Sequence, residues 1–139
     1  MKLGNMLFEV KLTEADFQIQ RVELVEGYRD FKEVFECREL PRAIRKYLSY
    51  QLMRNVLAAH ALGMDFCTLL DARRPDLLQD WYSILRCIRS TTLRARCKVL
   101  TWPELASCLP PALQSFLSAK EEKGWATDSP LRLGGKTFC

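Results

Sequence analysis

The run MDFCTLL, at residues 64–70, is the most informative stretch of the sequence for the fold. It is nearly continuous in apolar character and has the length of a strand. A strand that is apolar on both faces is typical of a parallel sheet that helices cover on each side. The polar sequence DARRP at residues 71–75 ends the run. We therefore predict a central β-strand over residues 64–70.

Further helices and a strand follow this central strand. Pro75 favours the first turn of a helix, and the apolar residues after it recur at intervals of three and four. The run from Cys97 to Leu100 predicts a short strand, and Thr101 with Glu104 forms a capping-box pattern that begins another helix. Pro111 begins a last predicted helix that ends at about residue 123. The residues predicted to point inward are Leu77, Leu78, Trp81, Leu85 and Ile88 in the first of these helices and Leu113, Phe116 and Leu117 in the last.

The segment before the central strand predicts a helix of about 20 residues, which Gly63 ends. Residues 43–62 contain neither glycine nor proline, and Pro41 lies just before them. Two amide side chains, Gln51 and Asn55, lie within the apolar stripe of this helix. The apolar members of that stripe are Ile44, Leu48, Ala58 and Leu62.

The N-terminal segment Asn5–Leu12 alternates in polarity, which predicts a strand. Glu9 and Lys11 share one face of this strand with Leu7. Between residues 13 and 40 the pattern is weaker. It indicates a short strand at residues 22–25 and a helix at residues 28–35.

The order of these elements predicts an α/β fold, with a mostly parallel sheet and helices on both faces. The chain has 139 residues, of which 48% are hydrophobic and 27% charged, as expected of one globular domain. We place this domain at residues 1–123. Glycine, serine, proline and threonine dominate residues 124–139, so we predict a flexible tail there.

The composition also excludes several classes of protein. No run reaches the roughly 18 apolar residues that span a bilayer, and the first residues lack the apolar run of a secretory signal, so we predict a cytoplasmic protein with no membrane partner. The six cysteines form no Cys-x-x-Cys pair and only one histidine is present, so reduced core thiols are favoured over a zinc site. The net charge of +4 mildly favours polyanionic partners.

The pattern Glu9-Val10-Lys11 on a strand, with Gln51 on a helix that leads into a buried strand, resembles the PD-(D/E)XK nuclease superfamily. The resemblance extends to LDARRPDL (residues 70–77), VLTWPEL (99–105) and LPPALQSFL (109–117), and covers about residues 6–123. It implies a restriction-endonuclease-like fold, with a mixed, mostly parallel sheet flanked by helices. Only eight residues precede Glu9 and none is acidic. We therefore expect this chain to lack the first strands of that fold, including the strand with the superfamily's upstream aspartate.

The resemblance also implies roles for individual residues. Glu9 would be a ligand of Mg²⁺, for which Mn²⁺ can substitute, and Lys11 would orient or activate the attacking water. Gln51 would support this site or contact a phosphate. The two-residue spacing agrees, because it places Glu9 and Lys11 on one strand face about 7 Å apart.

Alternatives stay open for each of these residues. A Glu-x-Lys pair in a strand is also common as a charge pair on a solvated face. Gln51 and Asn55 are either hydrogen-bonded core amides or site residues. Arg73 and Arg74 follow the carboxyl end of a predicted strand, where they either contact DNA phosphates or are solvated loop charges. Arg54 is a further candidate for contact with DNA.

From these patterns we predict a metal-dependent DNA endonuclease-like domain that hydrolyses phosphodiesters, and that is inactive unless another carboxylate replaces the missing aspartate. The rival hypothesis is a non-catalytic module that binds DNA or a protein partner. In that case the strand from Leu7 to Leu12 would lie at the edge of the sheet and pair with a second copy to form a homodimer. A third interpretation is that Met1 is not the biological start and that a longer form carries the aspartate.

Overall fold

The computed structural model describes residues 1–11 and 14–122 of the chain. Contacts divide it into two units, Met1–Cys108 and a second unit that begins at Leu109. The described part of the second unit contains one helix, α7 (Pro111–Glu122). The strands of the first unit are β1 (Lys2–Leu3), β2 (Met6–Val10), β3 (Gln20–Arg21), β4 (Arg42–Ala43), β5 (Lys46–Tyr47), β6 (Asp65–Leu70) and β7 (Cys97–Thr101). Its helices are α1 (Val22–Glu26), α2 (Phe31–Val34), α3 (Tyr50–Leu62), α4 (Pro75–Leu85), α5 (Thr91–Arg96) and α6 (Trp102–Ser107).

The main sheet has the order β1-β2-β6-β7, and its strands β2, β6 and β7 are parallel. This arrangement confirms the predicted fold class, a mixed α/β fold with a mostly parallel sheet flanked by helices. The predicted central strand is β6, which lies between β2 and β7 and is buried at five of its six residues. This segment is apolar because the strand is buried on both faces, as the sequence indicated.

The predicted N-terminal strand is β2, and β1 covers part of its outer edge. β1 pairs with β2 in the antiparallel sense, with Lys2 opposite Leu7 and Leu3 opposite Met6. The expectation that Leu7 begins an exposed edge strand is therefore wrong at that residue. Homodimer formation itself stays a prediction.

The predicted helix over residues 43–62 is wrong in its first part, because α3 begins only at Tyr50. Residues 42–47 instead form the hairpin β4–β5, which joins β3 in a second, antiparallel sheet of order β3-β5-β4. The reason is tertiary: Tyr47 is fully buried, and its hydroxyl donates to Glu26 Oε1 at 2.9 Å. Local propensity does not register such a contact. The predicted end of the helix is confirmed, since Gly63 has φ +62° at its C-terminus.

The exact start of α3 also changes its buried face. Ile44 is 99% exposed at the hairpin tip and Leu62 is 61% exposed, so neither belongs to the core stripe predicted for this helix. The side chains that α3 buries are those of Leu52, Met53, Val56, Leu57 and Ala59.

The weakly patterned segment differs from its prediction too. Residues 22–26 form α1 and not a strand, with Val25 buried on its inner side. Val22 and Leu24 are spaced as on one face of a strand, whereas Val22 and Val25 are spaced as on one face of a helix, so these five residues alone fit either element. The helix predicted at residues 28–35 is the shorter α2.

The elements after the central strand agree well with the sequence pattern. In α4, Leu77, Trp81 and Ile84 are buried, and the Trp81 ring lies 5.6 Å from that of Phe66 in β6. The predicted strand is β7. The helix α5 before it was not predicted.

The capping box at the start of α6 is confirmed. The backbone N–H of Thr101 donates to Glu104 Oε2 at 2.7 Å, and its hydroxyl donates to the same oxygen at 2.8 Å. These bonds fix the point at which β7 ends and the helix begins.

The last helix is confirmed as α7, but Leu113 and Phe116 are 50% and 56% exposed, so their predicted inward orientation is wrong. The side chain of Leu117 and the predicted tail at residues 124–139 lie outside the described residues. The single-domain extent over residues 1–123 stays a prediction. Over residues 1–11 and 14–122, no helix combines the length and apolar character that crossing a membrane requires.

The cysteines allow a direct test of this core. Cys97 is buried where β7 begins, and burial raises the pKa of its thiol to about 11, whereas Cys108 is exposed. At about pH 8 only about one Cys97 thiol in a thousand is ionised in the folded chain. We expect iodoacetamide to label Cys108 far faster than Cys97, as measured by peptide mass spectrometry. In urea the two should label at similar rates, and equal labelling of the folded chain would contradict the burial of Cys97.

Candidate functional site

Lys11 lies one residue beyond the end of β2, and its side chain is only 2% exposed. Its backbone N–H donates to the carbonyl of Leu69 at 3.0 Å, so the chain still follows β6 at this point. A buried ammonium group costs several kcal/mol unless charged or polar partners surround it. The partners of Lys11 therefore define the candidate site, and its burial excludes the solvated-face interpretation of the Glu-x-Lys pair.

Three groups surround the ammonium of Lys11. Its Nζ lies 3.6 Å from Glu9 Oε1 and donates a hydrogen bond to Gln51 Oε1. The same atom lies 5.3 Å from the centre of the Phe17 ring. A carboxylate, an amide oxygen and an aromatic face all interact favourably with a positive charge, so these three contacts offset the cost of burying the ammonium.

Glu9 has a second partner on the same helix. Asn55 Nδ2 donates to Glu9 Oε2 at 2.8 Å. The two-residue spacing places Glu9 and Lys11 on one strand face, and the four-residue spacing places Gln51 and Asn55 one turn apart on α3. We call these four residues the Glu9 cluster. Both amides are hydrogen-bonded to the charged pair, and their role in a functional site stays a prediction.

The segment before β3 holds the first turn of α3 against Lys11. The backbone N–H groups of Tyr50 and Gln51 donate to the carbonyls of Gln18 and Phe17, both at 2.9 Å. These bonds satisfy donors that a helix start leaves unpaired, in the absence of a side-chain cap from Ser49. Phe17 thus positions Gln51 through its backbone and covers Lys11 through its ring.

Thr68 is a further polar residue at this position, which the sequence pattern does not single out. It is opposite Glu9 in the parallel pair of β2 and β6, and it is fully buried. Residues in register on neighbouring strands point to the same face of a sheet, so its side chain lies on the Glu9 side. Its hydroxyl has no hydrogen-bond partner among the described residues. Position 68 falls within an apolar run, which is why the pattern gave no functional signal.

The metal chemistry of the Glu9 cluster is limited by its single carboxylate. Within residues 1–11 and 14–122, no group of three or more histidine, cysteine, aspartate or glutamate side chains is arranged to hold a metal ion. Mg²⁺ is commonly held by one or two carboxylates together with waters and substrate phosphate oxygens. Glu9 supplies one such carboxylate, and its side chain is 17% exposed.

The arginines predicted to contact DNA are held by intramolecular partners. Arg73 makes a two-pronged pair with Asp71, and Arg74 makes one with Asp76; the shortest distance in each is 2.6 Å. Hydrogen bonds from these arginines lower the pKa of both carboxyls. Arg54 is exposed on α3, with its guanidinium 5.7 Å from the centre of the Tyr50 ring. Contact of the three arginines with DNA stays a prediction, and the Glu9 cluster is built without them.

The charge pair predicts an asymmetric response to mutation. The substitution Glu9→Gln leaves the buried Lys11 without its carboxylate, so we expect the free energy of unfolding to fall by about 3 kcal/mol. The double substitution Glu9→Gln with Lys11→Met removes both charges and should recover most of that loss. Urea unfolding measures both values.

The matched control is Glu33→Gln, which neutralises an exposed glutamate of α2. Its effect should stay within about 0.5 kcal/mol. Equal losses in the single and double variants would show that the Lys11 charge does not depend on Glu9.

Comparison with known proteins identifies a family. The family model described as Restriction Endonuclease associating with ARP (REase-ARP) matches residues 1–123. No curated protein and no solved structure matches the chain.

Proposed function

The chain belongs to the REase-ARP family, and on that premise we propose that it is a DNA nuclease domain of the PD-(D/E)XK type, with the Glu9 cluster as its active site. The family relates the chain to restriction endonucleases over residues 1–123. The observation that carries the proposal is the buried Lys11, held between Glu9 and Gln51. These are three residues that the superfamily pattern nominates.

Lys11 is suited to orient the attacking water. An ammonium has three N–H donors, and the geometry directs them toward Glu9 Oε1 and Gln51 Oε1, which leaves one for a water or a phosphate oxygen. Its contacts on three sides restrict rotation of the side chain. Such preorganisation lowers the cost of charge development in the transition state.

The two amides have distinct roles in this proposal. Gln51 accepts from Lys11 through Oε1, which leaves its Nε2 donors for a phosphate oxygen. Asn55 is a positioning residue, because it holds the second carboxylate oxygen of Glu9 and thereby fixes the orientation of that carboxylate. Both act from one face of α3.

Glu9 would hold the Mg²⁺, or the Mn²⁺ that substitutes for it, with the remaining ligands supplied by waters and the DNA phosphate. When bound, this ion supplies Lewis-acid stabilisation of the negative charge on the reacting phosphate. The side chain of Glu9 is 17% exposed and that of Lys11 only 2%, so the carboxylate is the member of the pair that solvent and ligands reach.

A second candidate is a DNA-binding module without catalysis. It is favoured by one observation: both oxygens of Glu9 already have partners, Lys11 and Asn55. A metal ion would have to compete with those partners. In this case the Glu9 cluster would serve to stabilise the fold while other surfaces bind DNA.

Metal binding and cleavage separate these two functions. We would titrate the chain with Mg²⁺ and Mn²⁺ by calorimetry, both alone and in complex with a duplex that resists cleavage, and measure cleavage of plasmid and linear duplex DNA in parallel. Under the nuclease proposal, Glu9→Gln abolishes metal binding, and Glu9→Gln and Lys11→Met each reduce the cleavage rate by at least about a hundredfold. Far-UV circular dichroism checks that each variant is folded.

The control Glu33→Gln should cleave at the rate of the natural chain. Cleavage that persists at an unchanged rate in the Glu9→Gln variant would show that it does not depend on Glu9 and would overturn the assignment. DNA binding with neither metal binding nor cleavage would support the module.

A further inference from the structure

A basic hairpin lies close in sequence to the Glu9 cluster but uses different residues. It consists of β4 and β5, joined by the two-residue loop of Ile44 and Arg45. The strand β3 lies beside β5, with Arg21 opposite Lys46. Together these elements expose four cations, Arg21, Arg42, Arg45 and Lys46.

The charge of this surface is not neutralised by neighbouring acids. None of its four cations forms an ion pair with another residue in the described ranges. Three of them, together with Glu23 and Leu24, line an open cavity of about 610 Å³. Glu23 is the one carboxylate in that lining, so the surface keeps a strong positive charge. Such a surface fits a polyanion.

Ile44 stands at the tip of this hairpin. Its side chain is 99% exposed, and its backbone has φ +46°. A left-handed conformation is strained for a β-branched residue. An exposed isoleucine also lacks the favourable free energy that burial gives to an apolar side chain. The position thus presents an apolar group to solvent in a conformation that costs folding free energy, with no burial of the side chain to offset that cost.

The hairpin is firmly anchored at its base. Tyr47 is buried, and its ring lies 5.6 Å from that of Phe31. The N–H of Val22 donates to the carbonyl of Arg45 at 3.0 Å, and the N–H of Leu48 donates to that of Pro41 at 2.9 Å. The tip is therefore preorganised, which reduces the ordering cost of binding.

We propose that this basic hairpin binds the minor groove of duplex DNA, with its cations on the phosphates and Ile44 inserted as an apolar wedge at a base step. Proteins that bend DNA combine these two features, basic side chains along the backbone and an aliphatic side chain between bases. The inference rests on the proposed function, which supplies DNA as the ligand. A membrane surface fits less well, because insertion there requires a broad apolar face and the hairpin offers one side chain.

The chain connection limits the distance between the hairpin tip and the Glu9 cluster. Gln51 is seven positions after Ile44, so the two are at most about 25 Å apart. That span corresponds to roughly seven base-pair steps of B-form DNA. A wedge at this distance would hold the duplex while a phosphate lies at the Glu9 cluster.

The test measures binding of a short fluorescent duplex by anisotropy over a range of salt concentrations. EDTA is present throughout, so that cleavage does not contribute. The double substitution Arg45→Ala with Lys46→Ala should weaken binding at least tenfold. It should also reduce the slope of log affinity against log salt by about 2, or roughly one unit for each phosphate that the variant no longer neutralises.

The wedge has its own readout. Ile44→Gly relieves the left-handed strain, so this variant should be at least as stable as the natural chain in urea. It should keep the salt slope but lose the DNA bend, which energy transfer between dyes at the two ends of the duplex reports. The matched charge control is Lys32→Ala with Arg38→Ala, two exposed cations outside this sheet, and it should change the slope little.

The outcomes are distinct from those of the nuclease assay. An unchanged salt slope in Arg45→Ala with Lys46→Ala, or no duplex binding by the natural chain in EDTA, overturns the hairpin proposal. Binding to anionic vesicles in place of duplex overturns it as well, and an unchanged bend in Ile44→Gly overturns the wedge. Loss of cleavage in Glu9→Gln with normal duplex binding supports both proposals, because that variant leaves the hairpin intact.

Discussion

The buried ammonium of Lys11 ties β2, α3 and the segment before β3 together in the first unit. A charge that is 2% exposed needs acceptors in fixed positions, and its two acceptors come from different elements. Glu9 reaches it from β2, and Gln51 reaches it from α3. Both acceptors reach Lys11 only if β2 is paired in its observed register with β6 and α3 lies at its observed position along its axis. A shift of α3 by one residue would rotate both amides away from the charged pair, since successive helix positions are about 100° apart.

Whether the sequence predicts an element depends on how far apart along the chain its stabilising residues lie. The central strand, the helix α4 and the capping box of α6 were predictable, because each depends on a local pattern of apolar or capping residues. Glu9, Lys11 and Gln51 were nominated by spacing and resemblance. The hairpin and the start of α3 were not predictable, since residues 42–49 carry no helix breaker and become a hairpin only when Tyr47 is buried against Phe31. Thr68 escaped notice because its hydroxyl lies within an apolar run.

Charge balance links metal and substrate in the proposed active site. Glu9 and Lys11 together are neutral, and Asn55 occupies the second carboxylate oxygen, so the isolated pair offers little net attraction for a divalent cation. A DNA phosphate brings the negative charge that such a cation requires. It also brings an acceptor for the remaining N–H groups of Lys11 and Gln51. The geometry therefore favours metal and phosphate arriving together over a strong metal site in the free protein, and the single carboxylate is consistent with that order.

Backbone strain marks the junction between the Glu9 cluster and the basic hairpin. Four described residues other than glycine have positive φ, and three of them, Gln18, Ile44 and Ser49, lie before, at the tip of and after the small sheet. Gln18 and Ser49 flank the two points at which the chain enters and leaves that sheet, beside the first turn of α3. Left-handed conformations at such residues persist only where surrounding contacts fix them, here the bonds of Phe17 and Gln18 to α3 and the burial of Tyr47. The bonds of Phe17 and Gln18 also place Gln51 on Lys11, so the contacts that fix the ends of the small sheet help to assemble the site.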